Sequence, residues 1–181
     1  MNKGVDRVTK DVFDCMRTSS SVRNFTKESI PEATLSRILE AACWAPSAGN
    51  LQPWFFYVVK NSKLKQQISD FCFGQDQVGR APVAIVVMAD PARSNEKYAE
   101  RGAQLYCLQD TAAAVQNMLL AAEGLGISTC WVGAFDEPKV QQAVEAPPRL
   151  RAVAIVCLGY SDEKKEAKER LRVAEVTKII D

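Results

Sequence analysis

No histidine occurs anywhere in the 181 residues. That absence removes Ser-His and Cys-His nucleophilic machinery, histidine-bearing metal sites and imidazole acid–base work. Proton chemistry must then fall to carboxylates and lysines, or the reactive group must be a cofactor. The six cysteines, Cys15, Cys43, Cys72, Cys107, Cys130 and Cys157, form no Cys-x-x-Cys pair. Neither a metal knuckle nor a redox dithiol is indicated, and most of the six lie in apolar runs, where free structural thiols are usual. Charge bias is missing as well. With 23 basic and 22 acidic residues the net charge is +1, so no overall field favours nucleic acid or an anionic membrane. The start, MNKGVDRVTKDVF, carries no apolar leader, which predicts a cytoplasmic location. Hydrophobic content of 47% predicts a soluble globular chain, and the length predicts one domain over 1–181.

One stretch lacks charge altogether. Ala41 to Val59, AACWAPSAGNLQPWFFYVV, runs 19 residues without one charged side chain. That is long enough to raise a membrane span, but Pro46, Gly49, Asn50, Gln52 and Pro53 break it in the middle. The pattern predicts a helix end, a tight loop over 46–53 and a strand over 55–59. Ser47, Asn50 and Gln52 then sit on the loop between two apolar elements, flanked by Trp44 and Trp54. Their groups suit the polar edge of a flat heteroaromatic ring, or equally cap their own backbone.

The remaining elements follow from periodicity. Val5, Val8, Val12 and Met16 predict an amphipathic helix near 6–18. It runs into Arg17-Thr18-Ser19-Ser20-Ser21-Val22-Arg23, where guanidinium forks and hydroxyls make either an anion cradle or a solvated helix end. Pro31 opens a helix with Leu35, Ile38, Leu39 and Ala42 inward, and Ser62 is placed to cap another over 63–72. The segment 73–80 reads as a loop, and Ala81 to Ala89 as a strand buried on both faces. Residues 91–104 are the most polar part and read as a surface connection or an element over a pocket. The longest helix is predicted over 102–124, with Leu105, Leu108, Ala112, Val115, Leu119 and Ala122 as its stripe. Because Thr111 to Ala122 is uncharged, that helix must bury nearly all round, in a core or against a second copy. Gly124-Leu125-Gly126 closes a helix before a strand, the reverse of a dinucleotide fingerprint. A third strand over 127–135 passes Gly133, Asp136 caps a short helix, and Arg151 to Tyr160 reads as a fourth buried strand. The tail from 161 is charged, carries Arg170-x-Arg172, and ends β-prone over 175–180.

APSAGNLQPW, with Ser21-x-Arg23 some twenty residues upstream, closely resembles the signature of the FMN-dependent nitroreductase family. The GLG…WVGAF segment and the Arg170-x-Arg172 tail extend the likeness from about Arg17 to Val176. The resemblance implies an α+β fold, a central mostly antiparallel sheet flanked by helices. It also implies an intertwined homodimer that exchanges a C-terminal arm of about 161–181. It implies FMN bound through Arg17, Ser19, Ser21, Arg23, Arg170 and Arg172 at the phosphate and ribitol. Pro46, Ser47, Asn50 and Gln52 would lie at the ring, and the backbone N–H of Gly133 at flavin N5. Ser19 stands where the family carries an arginine, and Arg17, two residues earlier, is the nearest substitute. NAD(P)H would then deliver hydride to the flavin, which passes electrons to a small-molecule acceptor such as a nitroaromatic or quinone in a ping-pong cycle. Such a flavin enzyme needs no histidine, because the cofactor is its own electron sink. Dehalogenation, enoate reduction, flavin fragmentation or a flavin-binding dimer without turnover remain alternatives on the same fold.

Overall fold

The computed structural model describes residues 10–163 and 169–180. The residues at 5 and 8 of the expected first helix, and part of the expected arm, lie outside them. At the centre is a four-stranded sheet, β1 (Trp54–Val59), β2 (Val83–Ala89), β3 (Ser128–Val132) and β4 (Arg151–Gly159), in the order β1-β2-β4-β3. Every neighbouring pair is antiparallel. One parallel bridge, Ser21 to Thr129, adds a fifth segment beside β3.

β2 is buried along its whole length because both faces are covered. On one side Val83, Ile85 and Val87 join Ala154, Val156 and Leu158 of β4 under two helices, α2 (Glu32–Cys43) and α6 (Cys107–Gly124). On the other, Ala84, Val86 and Met88 join Ala152, Ile155 and Cys157 against α3 (Ser62–Asp70), α4 (Gln77–Arg80) and α7 (Glu137–Ala143). The two-residue period survives a bulge opposite Val87 and Met88, where Ala154 and then Ala152 are the partners. The result is a three-layer sandwich, helix–sheet–helix, which is the α+β architecture expected.

Several boundaries differ from the sequence reading. The first helix, α1, is only Val12–Thr18, N-capped by Asp11. Its buried residue is Cys15, while Val12 and Met16 are exposed, so the stripe is rotated by one position. Asn61, not Ser62, caps α3, its side chain accepting from Leu64 N–H at 3.0 Å. The loop at 73–80 contains the single turn α4. The polar stretch is a helix, α5 (Pro91–Arg101), capped by Asp90 with Pro91 at its first turn. That helical run breaks at Ala99 (φ 49°), and Gly102 allows the fold-back: a Cβ there would lie 2.3 Å from the Ser94 carbonyl oxygen. A π-helical turn, Gly102–Tyr106, then leads into α6. On α6 the buried line is Cys107, Asp110, Thr111, Ala114, Val115, Met118 and Ala122, with Ala112 exposed and Leu105, Leu108 and Leu119 only partly covered. The expected β-prone end carries a one-turn helix, α8 (Val173–Val176). All six cysteines are free, five of them buried and Cys43 exposed. No helix among the described residues is long and apolar enough to cross a membrane.

Candidate functional site

The uncharged loop before β1 is shaped by its own polar groups. Asn61-type capping is absent here; instead Gly49, Asn50 and Gln52 all take positive φ, at 58°, 58° and 51°. Glycine and asparagine tolerate that region readily, but glutamine does not. Gln52 is held there because its N–H donates to Ser47 Oγ at 2.9 Å and its carbonyl accepts from Arg93 Nη1 at 3.3 Å. Its side-chain amide donates to Asn50 Oδ1 at 3.3 Å. Ser47, Asn50 and Gln52 are therefore brought together, with exposed Pro46 at the entrance. The loop rests on α6 through Asp110, whose Oδ1 accepts from Ala48 N–H at 3.1 Å. Asp110 is 7% exposed, its Oδ2 is buried without a partner, and burial pushes its pKa up. Neither Asp110 nor Arg93 was singled out from the sequence. The signal for Asp110 is an acid on the buried line of an otherwise apolar helix face.

Gly133 lies just past β3, facing a cavity of about 310 Å³ lined by Leu108, Thr111, Val115, Trp131, Phe135 and Arg151, among others. The nearest atom to a Cβ built on Gly133 is Trp131 Nε1, 3.9 Å away, so its backbone is open on that side. Arg151 and Glu137, paired at 2.9 Å, add charge to the cavity wall and were not anticipated.

At the other end of β3, Ser21 bridges Thr129 and Val22 N–H donates to Thr129 O at 2.8 Å. Ser21 and Arg23 are thus brought together beside buried Cys130. Burial raises the Cys130 pKa, against which the Arg23 charge and the Gln77 and Ser21 hydrogen bonds act. The next turn already holds an anion: Glu163 Oε2 accepts from Arg23 N–H at 3.3 Å, Asn24 N–H at 3.1 Å and Asn24 Nδ2 at 3.3 Å. An internal carboxylate on these donors, with a hydroxyl and a guanidinium alongside, is the donor set a phosphate monoester takes. With an amide-rich loop for a ring and an open glycine backbone, the chain's groups fit the flavin mononucleotide that the resemblance implies.

Other expected members are not assembled. Arg17 pairs with Asp14 on its own helix at 2.5 Å, and Ser19 ends that helix through its N–H to Cys15 O. Arg172 pairs with Glu175 at 3.4 Å and Arg170 donates to Glu169 O at 3.2 Å, both within the exposed tail. Strand direction sets the rest of the layout. The start of β1 and the end of β3 lie at the same end of the sheet but on opposite edges. Three strand spacings, about 14 Å, separate β1, which the 46–53 loop enters, from β3, which ends before Gly133. Four residues of β3 put Ser21 about 14 Å from Gly133 along it.

Known proteins share this sequence and architecture. The sequence model of the Nitroreductase family matches residues 16–79 and 72–160. A putative NADH dehydrogenase/NAD(P)H nitroreductase of Archaeoglobus fulgidus is 35% identical over 164 residues, covering 86% of this chain and 90% of that one. Among solved structures, a nitroreductase family protein from Streptococcus pneumoniae superposes with a TM-score of 0.86 at 24% identity, covering 94% of this chain and all of that one. An NADPH:FMN oxidoreductase from Vibrio harveyi, complexed with NAD+, superposes with a TM-score of 0.85 at 24% identity, over 94% of this chain and 77% of that one.

Proposed function

Because the chain belongs to the nitroreductase family, we propose that it is an FMN-dependent oxidoreductase using NAD(P)H and a small electron-poor acceptor, such as a nitroaromatic or a quinone. The single observation that carries this reading is the 46–53 loop. Ser47, Arg93 and Asp110 hold it in a left-handed course at Gly49, Asn50 and Gln52. Strain of that kind persists where a site needs the geometry.

In this reading Ser21 and Arg23, with the N–H groups of Arg23 and Asn24, hold the phosphate, and Glu163 yields its place there. Ser47, Asn50 and Gln52, with Pro46 beside them, present donors and acceptors to the ring's polar edge. The Gly133 N–H faces the ring's reactive nitrogen, where a fixed donor stabilises developing negative charge at no reorganisation cost. When bound, FMN would supply the redox chemistry between the nicotinamide and the acceptor. The chain's residues bind and orient, and solvent supplies protons.

The assembly is a homodimer in which one cofactor touches two chains. Supporting this, the loop and Gly133 of one chain stand on opposite sheet edges. The tail bearing Arg170 and Arg172 also leaves Leu171, Val173, Ile179 and Ile180 exposed, each by more than 70%. Val12, Phe13, Met16 and Trp44 are likewise uncovered. Beside them, α1, α2 and α6 frame a groove of about 600 Å³. Isolated exposed apolar side chains are ordinary, but a contiguous set with a groove marks an interface.

The test is to purify the protein, record its visible absorption, release the chromophore by heat and identify it. NAD(P)H oxidation is then measured with a nitroaromatic and a quinone. About one FMN per chain with turnover supports the reading. A colourless protein that takes up no FMN on titration refutes it.

A further inference from the structure

Above the 46–53 loop lies a cluster of cations and tyrosines contributed by the polar helix and the turn that follows it. A Cβ built on Gly49 would lie 2.6 Å from Lys97 Nζ and 2.6 Å from Tyr98 Oη, so both groups cover the loop at its glycine. Arg93 reaches the same loop through Gln52 O. The fold-back at Ala99 brings Tyr106 edge-on to Tyr98, with ring centroids 5.3 Å apart. Arg101 then lies over the Tyr106 ring at 5.4 Å and donates to its hydroxyl at 3.0 Å. Lys97 Nζ sits 5.6 Å from the Tyr98 centroid.

The helix carries three cations, Arg93, Lys97 and Arg101, against two acids, Glu96 and Glu100. Among the described residues none of Arg93, Lys97 and Arg101 is in an ion pair, although Glu96 and Glu100 are close in sequence. Glu100 instead accepts from Gln104 Nε2 at 2.6 Å. The partners these three cations do have are a carbonyl, the Tyr106 hydroxyl and two aromatic rings, which leave guanidinium and ammonium donors unused. Arg93 and Lys97 reach the loop and Arg101 stands on the adjoining Tyr106; like charges so placed repel one another, and an anion relieves that repulsion. The half-buried tyrosine pair supplies edges and faces for an aromatic body.

We propose that Arg93, Lys97, Tyr98, Arg101 and Tyr106 form an acceptor subsite selecting aromatic substrates that carry a carboxylate. The inference rests on the functional reading above and deepens it, naming the acceptor class for the same site. The ring lies against the loop and the tyrosines, and its carboxylate points outward to Lys97 and Arg101. Neutral aromatics of the same shape lose that contact.

The experiment uses the FMN-loaded protein and two non-reducible probes, benzoate and benzamide, with binding measured by calorimetry and by perturbation of the flavin spectrum. Benzoate is expected to bind more tightly, with the preference shrinking as salt is raised. Lys97→Gln is expected to cut the preference about fivefold, the scale of one partly exposed ion pair, and Lys97→Arg to restore it. The ratio of kcat/KM for 4-nitrobenzoate over 4-nitrobenzamide is expected to fall in parallel. Equal binding of the two probes, no measurable benzoate binding, or a preference untouched by Lys97→Gln overturns the proposal. A raised KM for NADPH with benzoate binding unchanged assigns the cations to the nucleotide and overturns it too. Failure to take up FMN refutes the functional reading itself, whereas an FMN-loaded, active protein blind to the carboxylate refutes this subsite alone.

Discussion

Replacing Asp110 separates two contributions that the structure puts on one side chain. Its Oδ1 tethers Ala48 N–H at 3.1 Å, while its Oδ2 is buried and unpartnered. A hydrogen bond to a charged acceptor stabilises by about 1.5–3 kcal/mol, and a neutral one by about 1 kcal/mol. Burial opposes the charge, and because it outweighs the Ala48 bond the pKa is raised from 3.8. Asp110→Asn keeps a carbonyl acceptor and removes the buried charge, so it is expected to stabilise the protein by about 1 kcal/mol at pH 7. The sign follows from linkage. A carboxyl whose folded pKa lies above its unfolded value favours the folded state fully below the unfolded pKa, and that favour is lost as pH rises through the folded pKa. The Asn variant's advantage must therefore be least near pH 3.8, grow above it and level off once Asp110 is ionised. Urea midpoints at a series of pH values measure this. Asp110→Leu, by contrast, releases the loop and is expected to weaken FMN binding about tenfold or more, an energy of about 1.4 kcal/mol. An Asn variant less stable at pH 7, or an advantage that does not change with pH, refutes the desolvation argument. A Leu variant with unaltered FMN affinity refutes the tether.

Arg23→Ala removes an exposed cation beside Ser21, so FMN should be retained about ten- to a hundredfold less well with little change in melting temperature; unchanged affinity in a flavin titration sinks the phosphate assignment. Cys130→Ser should preserve electron transfer, since burial keeps that thiol protonated; complete loss of activity with intact circular dichroism means that a redox thiol has been overlooked. Ending the chain before Glu169 removes Arg170, Arg172 and the exposed Ile179 and Ile180. It should lower both the mass seen by light scattering and the FMN content, and a dimer that keeps its flavin contradicts arm exchange.

What the sequence made readable tracks how each element is stabilised. β2 announced itself as the uninterrupted run APVAIVVMA because helices cover both its faces. The helix over 91–101 was missed because it buries only Ser94 along its length and has no apolar stripe to detect. It is secured at its N-terminal end, by Asp90 accepting from Arg93 N–H and pairing with Arg149, 59 residues away in sequence. The Asp-Pro start signal was present at 90–91, but a long-range ion pair leaves no local pattern. α1 failed differently. A stripe starting at residues 5 and 8 predicts Val12 and Met16 inward, yet Cys15 is the residue that meets α6 and Lys10 pairs with Glu123.

The site shows the same division at a larger scale. Ser47, Asn50 and Gln52 lie within six residues of one loop, and spacing alone placed them together because short loops constrain all their members. Ser21 and Arg23 reach Thr129 and Cys130 only through strand pairing, a long-range contact that periodicity does not show. Arg170 and Arg172 carry a spacing that suits phosphate, yet within one chain their partners are Glu169 and Glu175. Sequence spacing fixes which groups share a segment and says nothing about which chain they serve. If the tail served its own chain, it would have to fold back to the Ser21 end of β3, where Glu163 already holds the backbone donors of Arg23 and Asn24. An arm laid on a second copy would meet that copy's own Glu163 in the same place, so Glu163 has to give way in either arrangement, but it would also cover apolar side chains that one chain leaves in water. The proposed dimer would account for the arginines, the exposed tail and the divided site by one contact.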